Sequence, residues 1–215
     1  MKKIIFTAIA LVSLLACKQE NKPTISEMGN KNQVIEAIMD RRSIRVYKPD
    51  QVDQAKLDTI VQCAINAPSA LNKQSWEIRV VQNADLLKSI NDRFVEDAKG
   101  KSLQGSASKA QEPGFSVFHS APTLIVVARD KDNPYSAADC GMLTQNILLS
   151  AQSMNIGTCV IGSVAGILND NQSKSFREAL DIPDNYEVIY GIAVGYKNET
   201  PDAKPRDINK VQYIK

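Results

Sequence analysis

The chain has 215 residues, 43% of them hydrophobic and 23% charged, with a formal net charge of +2. That balance suits a globular protein and supplies no basic field to attract nucleic acid. A single histidine and four cysteines without a CxxC pair argue against both a metal site and a disulfide framework.

In chain order, Lys2 and Lys3 precede an apolar run from Ile4 to Leu15 broken only by Thr7 and Ser13. The run falls short of the ~20 residues of a membrane span and suits the apolar core of a secretory signal. Leu14-Leu15-Ala16-Cys17 then meets polar Lys18-Gln19-Glu20-Asn21-Lys22. A plain secretory signal with a chance cysteine explains each feature singly; the combination resembles a bacterial lipoprotein signal over residues 1–16, with Cys17 lipidated as the new N-terminus. The expected product is exported and held on the periplasmic side or cell envelope by its lipid, each buried methylene contributing ~0.8 kcal/mol. Removing residues 1–16 takes two lysines and no acid from 26 basic and 24 acidic residues, so the mature chain is close to neutral.

Residues 17–30 read as the lipidated cysteine and a polar tether, and 31–215 as one folded domain. Val34, Ile35, Ile38 and Met39 recur at helical spacing, predicting a helix from Asn32 to Asp40 or Arg41. Asp53 is the expected cap of a second helix whose apolar face is Leu57, Ile60, Val61 and Ala64, ending before Pro68. Trp76, Ile78 and Val80 alternate as a strand, and Leu86, Leu87, Ile90 and Phe94 mark a third helix. Residues 99–119 show no period and read as a lid or disordered loop. Thr123–Ala128 predicts a strand buried on both faces. A long helix from about Ala137 to Asn155 carries Cys140, Leu143, Ile147, Leu148, Ala151 and Met154 on one stripe, with Gly157 as its stop. A strand at 159–161, a helix at 173–180 and a strand at 187–194 complete an α+β fold, a small, mostly antiparallel sheet packed by long helices. Cys63, Cys140 and Cys159 sit in apolar surroundings and read as buried free thiols, although one pair could close.

No catalytic triad, metal cluster or phosphate loop of known pattern is present, and His119 lacks an identifiable partner and reads as structural, so an enzyme here would rely on a cofactor. Four segments stand out. Arg41, Arg42, Ser43 and Arg45 put three guanidinium groups and a hydroxyl within five residues, a receptor for a phosphate dianion, or equally a basic helix end offsetting the macrodipole. Pro68 to Trp76 places Ser69, Asn72 and Gln74 in a loop whose amides can meet a polar ring edge, or simply form a turn. Val160, Ile161, Gly162 and Ser163 follow the long helix with small residues that let a flat ring approach. Lys204 and Arg206 close the series near the chain end, where a solvated basic tail is the plain alternative.

In this order and spacing, the R-R-S-x-R segment, the P-S-x-x-N-x-Q-x-W loop, the long helix with its glycine turn and the terminal Gly195-Tyr196 resemble the nitroreductase family over about residues 32–210. The resemblance implies an obligate, intertwined homodimer with FMN at the subunit interface and NAD(P)H as the usual reductant. It implies that Arg41, Arg42, Ser43, Arg45, Lys204 and Arg206 hold the phosphate end, with Arg45 leaning toward the flavin N1 and C2 carbonyl edge. Ser69, Asn72 and Gln74 would bond the ring edge, and Val160, Ile161, Gly162 and Ser163 would line one face. No catalytic side chain is implied, since the flavin carries hydride in ping-pong fashion to a small electron-poor acceptor such as a nitroaromatic or quinone; residues 99–119 would be the lid. Two departures stand: Ser75 replaces the proline of the common Gln-Pro-Trp, and the 160–163 turn lacks the usual acid. The alternative reading is an exported, lipid-anchored flavin- or ligand-binding protein without turnover.

Overall fold

The computed structural model describes residues 32–215; the proposed signal segment, Cys17 and the tether through residue 30 lie outside the described residues. Four strands, β1 (Trp76–Val81), β2 (Thr123–Asp130), β3 (Ile156–Ile161) and β4 (Tyr186–Tyr196), form one antiparallel sheet in the order β1-β2-β4-β3. Six helices pack around it: α1 (Gln33–Asp40), α2 (Gln54–Ile65), α3 (Ala84–Asp97), α4 (Ser136–Ser153), α5 (Val164–Asn169) and α6 (Lys174–Ala179). The α+β expectation holds.

β2 explains why the sheet is covered on both sides. Every residue from Thr123 to Ala128 is buried, so apolar layers must lie on each face. Leu124, Val126 and Ala128 pack with Leu87, Ile90 and Phe94 of α3 and Val164, Ile167 and Leu168 of α5. Ile125 and Val127 point the other way, into Leu57, Ile60 and Ala64 of α2 and Cys140, Leu143 and Ile147 of α4. Between Val127 and Ala128 the register against β4 slips, and Ile189 is the extra residue of a bulge.

Several local expectations are corrected. Gly157 does not stop α4: Met154 caps it, Asn155 takes the left-handed conformation at φ 58°, and Gly157 is already inside β3. Glycine is needed there because a Cβ would stand 3.0 Å from Ile44 and from Lys197. Asp53 precedes α2 but gives it no side-chain cap, since its carboxylate pairs with Lys56 at 3.1 Å. Cys63 is exposed, whereas Cys140 and Cys159 are buried, and all three are free. Residues 99–119 are ordered against the core through Ala107, Ala110, Val117 and Phe118. α1 turns its predicted apolar stripe outward: Val34, Ile38 and Met39 are exposed and Ala37 is its buried residue.

Candidate functional site

The segment after α1 cannot continue the helix because Arg41 is extended, at ψ 128°. It then runs beside the edge strand β3. Ile44 N donates to Thr158 O at 2.9 Å, and Lys48 N donates to Tyr196 O at 2.9 Å. The chain leaving β4 returns to the same place: Asn198 N donates to Val46 O at 3.0 Å, while Glu199 Oε1 accepts from the backbone amides of both Arg45 and Val46. Tyr47 packs beneath, its hydroxyl donating to Ile44 O at 2.5 Å. Burial, then the neighbouring Cys159 and Glu199, push its phenol well above the ordinary range.

This crossing brings residues over 150 positions apart into one cleft of about 120 Å³, lined by Arg41, Arg42, Ser43, Arg45, Pro201, Asp202, Lys204 and Arg206. Five cations face one carboxylate, and among the described residues none of the five forms an ion pair. Arg42 folds back onto Met39 O at 2.6 Å and Arg41 O at 2.9 Å, so it closes the end of α1 as the helix-end reading anticipates. Arg206 reaches Lys204 O at 2.9 Å. The Arg41 guanidinium has no hydrogen-bond partner among the described residues and is open to an anion. The donor set fits a phosphate: guanidinium forks, an ammonium and the Ser43 hydroxyl converge without competing carboxylate pairs.

Arg45 also lines a second pocket, of about 290 Å³, with Lys109, Ser116, His119 and Ser120. The supposed lid is therefore a wall beside the cationic cleft. Burial, and then the Arg45 charge, lower the His119 pKa and favour its neutral form. These wall residues were invisible in a sequence stretch without a period; the consecutive left-handed residues His119 and Ser120 betray the tight turn only in three dimensions. A larger cavity, of about 600 Å³, lies between α2 and α4, and among the described residues that line it Asp58 alone is charged.

The ring-face segment is only partly placed as expected. Val160, Gly162 and Ser163 are exposed, while the Ile161 side chain is buried among Leu124 and Val164 neighbours and lines no surface. Strand alternation is the reason, as Cys159 and Ile161 share the core side and Val160 faces away. Gly162 lies four residues beyond Thr158 along the same edge, roughly 13 Å at a strand's rise.

The Ser69–Gln74 loop lies elsewhere. It enters β1 at Trp76, which aligns through Arg129 with Glu187, whereas Thr158 aligns with Val194 on the other side of β4. Three strand spacings and seven residues separate them, roughly 14 Å across and 23 Å along the sheet. One chain thus does not bring Ser69, Asn72 and Gln74 to its own arginine cleft. The loop itself is tightly shaped: Leu71, Asn72 and Gln74 are left-handed, at φ 54°, 52° and 49°. Ser69 Oγ accepts from Gln74 N at 3.0 Å. Ser75, where the common pattern has proline, is buried and its hydroxyl accepts from Asn133 Nδ2 at 2.7 Å, a tie no sequence pattern announces.

The sequence model of the Nitroreductase family matches residues 38–196. An NADPH-flavin oxidoreductase of Vibrio harveyi is 27% identical over 183 residues, covering 81% of this chain and 70% of that protein. The FMN reductase [NAD(P)H] of Bacillus subtilis is 26% identical over 188 residues, with coverages of 81% and 70%. Among solved structures, a nitroreductase with bound FMN from Desulfitobacterium hafniense superposes with a TM-score of 0.79 at 28% identity, covering 86% of this chain and 100% of that one. An FMN-dependent nitroreductase from Clostridium difficile gives 0.77 at 30% identity, with the same coverages.

Proposed function

This chain belongs to the nitroreductase family, and from that premise we propose that it is an FMN-dependent oxidoreductase, taking reducing equivalents from NADH or NADPH and delivering them to a small electron-poor acceptor such as a nitroaromatic or a quinone. The observation that carries this reading is the convergence of Arg41, Arg42, Ser43 and Arg45 with Lys204 and Arg206 in one cleft, with no ion pair to any of these cations among the described residues. Bound FMN supplies the hydride chemistry. The chain's own residues would supply grip and orientation: the cationic cleft would hold the phosphate, Val160, Gly162 and Ser163 would offer a surface to the ring, and the Arg45 charge would favour the more negative, reduced state. No side-chain acid is required.

The distance between the Ser69–Gln74 loop and the cleft supports a site assembled from two copies, the loop of one protomer closing over the arginines of its partner. Exposed Val34, Ile38 and Met39 on α1, and Ile208, Val211, Tyr213 and Ile214 in the C-terminal segment, are the apolar surface such a homodimer would cover.

The N-terminal pattern supports export and lipid anchoring at Cys17, which separates the enzyme from cytoplasmic nicotinamide pools. That observation favours a second reading, a lipid-anchored flavin-binding protein served by another donor or without turnover. An acceptor screen under NADH and NADPH distinguishes the two. Nicotinamide oxidation that depends on a nitroaromatic or quinone supports the enzyme; bound FMN with no oxidation by either nucleotide supports the second reading. A Cys17→Ala chain is expected to leave the membrane fraction, and its retention there would remove the anchor.

A further inference from the structure

We propose that Asp139 is the positioning residue that sets the shape of the Ser69–Gln74 loop, and through it the contacts of Asn72 with the ring edge. The role of the loop rests on the flavin reading above; the role of Asp139 in ordering the loop does not.

Asp139 stands in the first turn of α4, 1% exposed, and its Oδ1 accepts from Ala70 N at 3.1 Å. Its other oxygen, Oδ2, is buried and has no hydrogen-bond partner among the described residues. A buried carboxylate with one unmet oxygen is a costly way to fill space, and an apolar side chain in the wall of a helical core would serve stability better. What the carboxylate does that an apolar group cannot is accept a hydrogen bond from the loop. Other bonds inside the loop are local: Asn72 N to Ser69 O at 3.0 Å, Lys73 N to Ala70 O at 3.1 Å and Gln74 N to Ser69 Oγ at 3.0 Å. Local bonds alone do not fix a run with three left-handed non-glycine residues against the core. The loop is tied at its far end by Ser75 to Asn133, and at its near end by Ala70 to Asp139. Between the two ties Leu71 and Asn72 stand exposed, presented by the loop and not packed into it.

The test uses the full-length protein with Asp139→Ala, Asp139→Asn and Ala70→Pro. Asparagine keeps the acceptor. Proline removes the donor where Ser69 is already extended and the first helical position tolerates it, which guards against a poorly folding alanine variant. In flavin-free protein, amide exchange at Asn72 and Lys73 should accelerate at least tenfold in Asp139→Ala and Ala70→Pro but not in Asp139→Asn, with β2 amides unchanged. In FMN titrations, Asp139→Ala should raise the dissociation constant about tenfold and shift the bound flavin's visible bands. Asn72→Ala should do the same, and the double variant should be no weaker than either single one. Unchanged loop exchange in Asp139→Ala and Ala70→Pro, or losses that multiply in the double variant, would overturn the proposal. A wild-type protein that takes up no FMN, while its loop exchange still responds to Asp139, would overturn the flavin reading and support the loop-setting role.

Discussion

Arg41 and Arg42 are neighbours of identical chemistry with different obligations. Arg42 spends its donors on the carbonyls of Met39 and Arg41, while the Arg41 side chain has no hydrogen-bond partner among the described residues. We expect Arg41→Ala to weaken FMN binding by about 1.5–3 kcal/mol, the range for a charged hydrogen bond, measured by fluorescence titration. Arg42→Ala should act mainly on the end of α1, by ~0.3–1 kcal/mol in stability. Equal losses of FMN affinity would contradict this division. His119 carries a pH prediction. Its folded pKa is lowered, first by burial and second by Arg45. Above the unfolded value, about 6.5, both states are neutral and full stability is present; as pH falls below it the unfolded chain binds the proton first and stability is lost. Denaturant unfolding of the flavin-free protein should show a decline from pH 7 to 5.5 that His119→Gln reduces.

At the scale of elements, periodicity made most of the fold legible. The stripe of α4 and the unbroken apolar run of β2 were readable because burial on one or both faces dictates their patterns. What escaped had physical reasons. α5 has six residues, too few to show a helical period, although Val164, Ile167 and Leu168 are all buried. The inward side of α1 is not given by its apolar period, because Val34, Ile38 and Met39 are exposed and the small Ala37 is the residue it buries. Asn155, not Gly157, takes the left-handed turn, and the glycine instead admits the arginine segment to the edge of β3. For the candidate site, the two segments that line the cationic cleft are legible only together, through their order along the chain, and their crossing depends on the Arg45 and Val46 amides donating to Glu199, which no local pattern encodes. Gly157→Ala should therefore push Ile44 and the arginine segment off β3. We expect about 1–3 kcal/mol of lost stability together with weaker FMN binding, although no ligand-facing side chain changes. Stability loss with FMN affinity intact would show that the edge pairing does not hold the clamp.

Across the whole molecule, the cationic cleft and the Ser69–Gln74 loop occupy opposite corners of one sheet, so the proposed FMN site needs two chains. Mixing tests this directly. Arg41→Ala and Asn72→Ala homodimers should each have two damaged sites, whereas a heterodimer of the two has one intact site and one doubly damaged one. Unfolding and refolding the variants together should restore high-affinity FMN binding to about a quarter of the sites, the statistical share for random pairing of equal amounts. No recovery would mean that both residues serve the same site from one chain. The most direct measurement is anaerobic: purified protein, loaded with FMN, is titrated with NADH or NADPH while flavin absorbance is followed, and a nitroaromatic or quinone is then added. The account predicts a yellow protein that bleaches with nicotinamide and regains colour with the acceptor. A colourless protein that FMN does not reconstitute would contradict it.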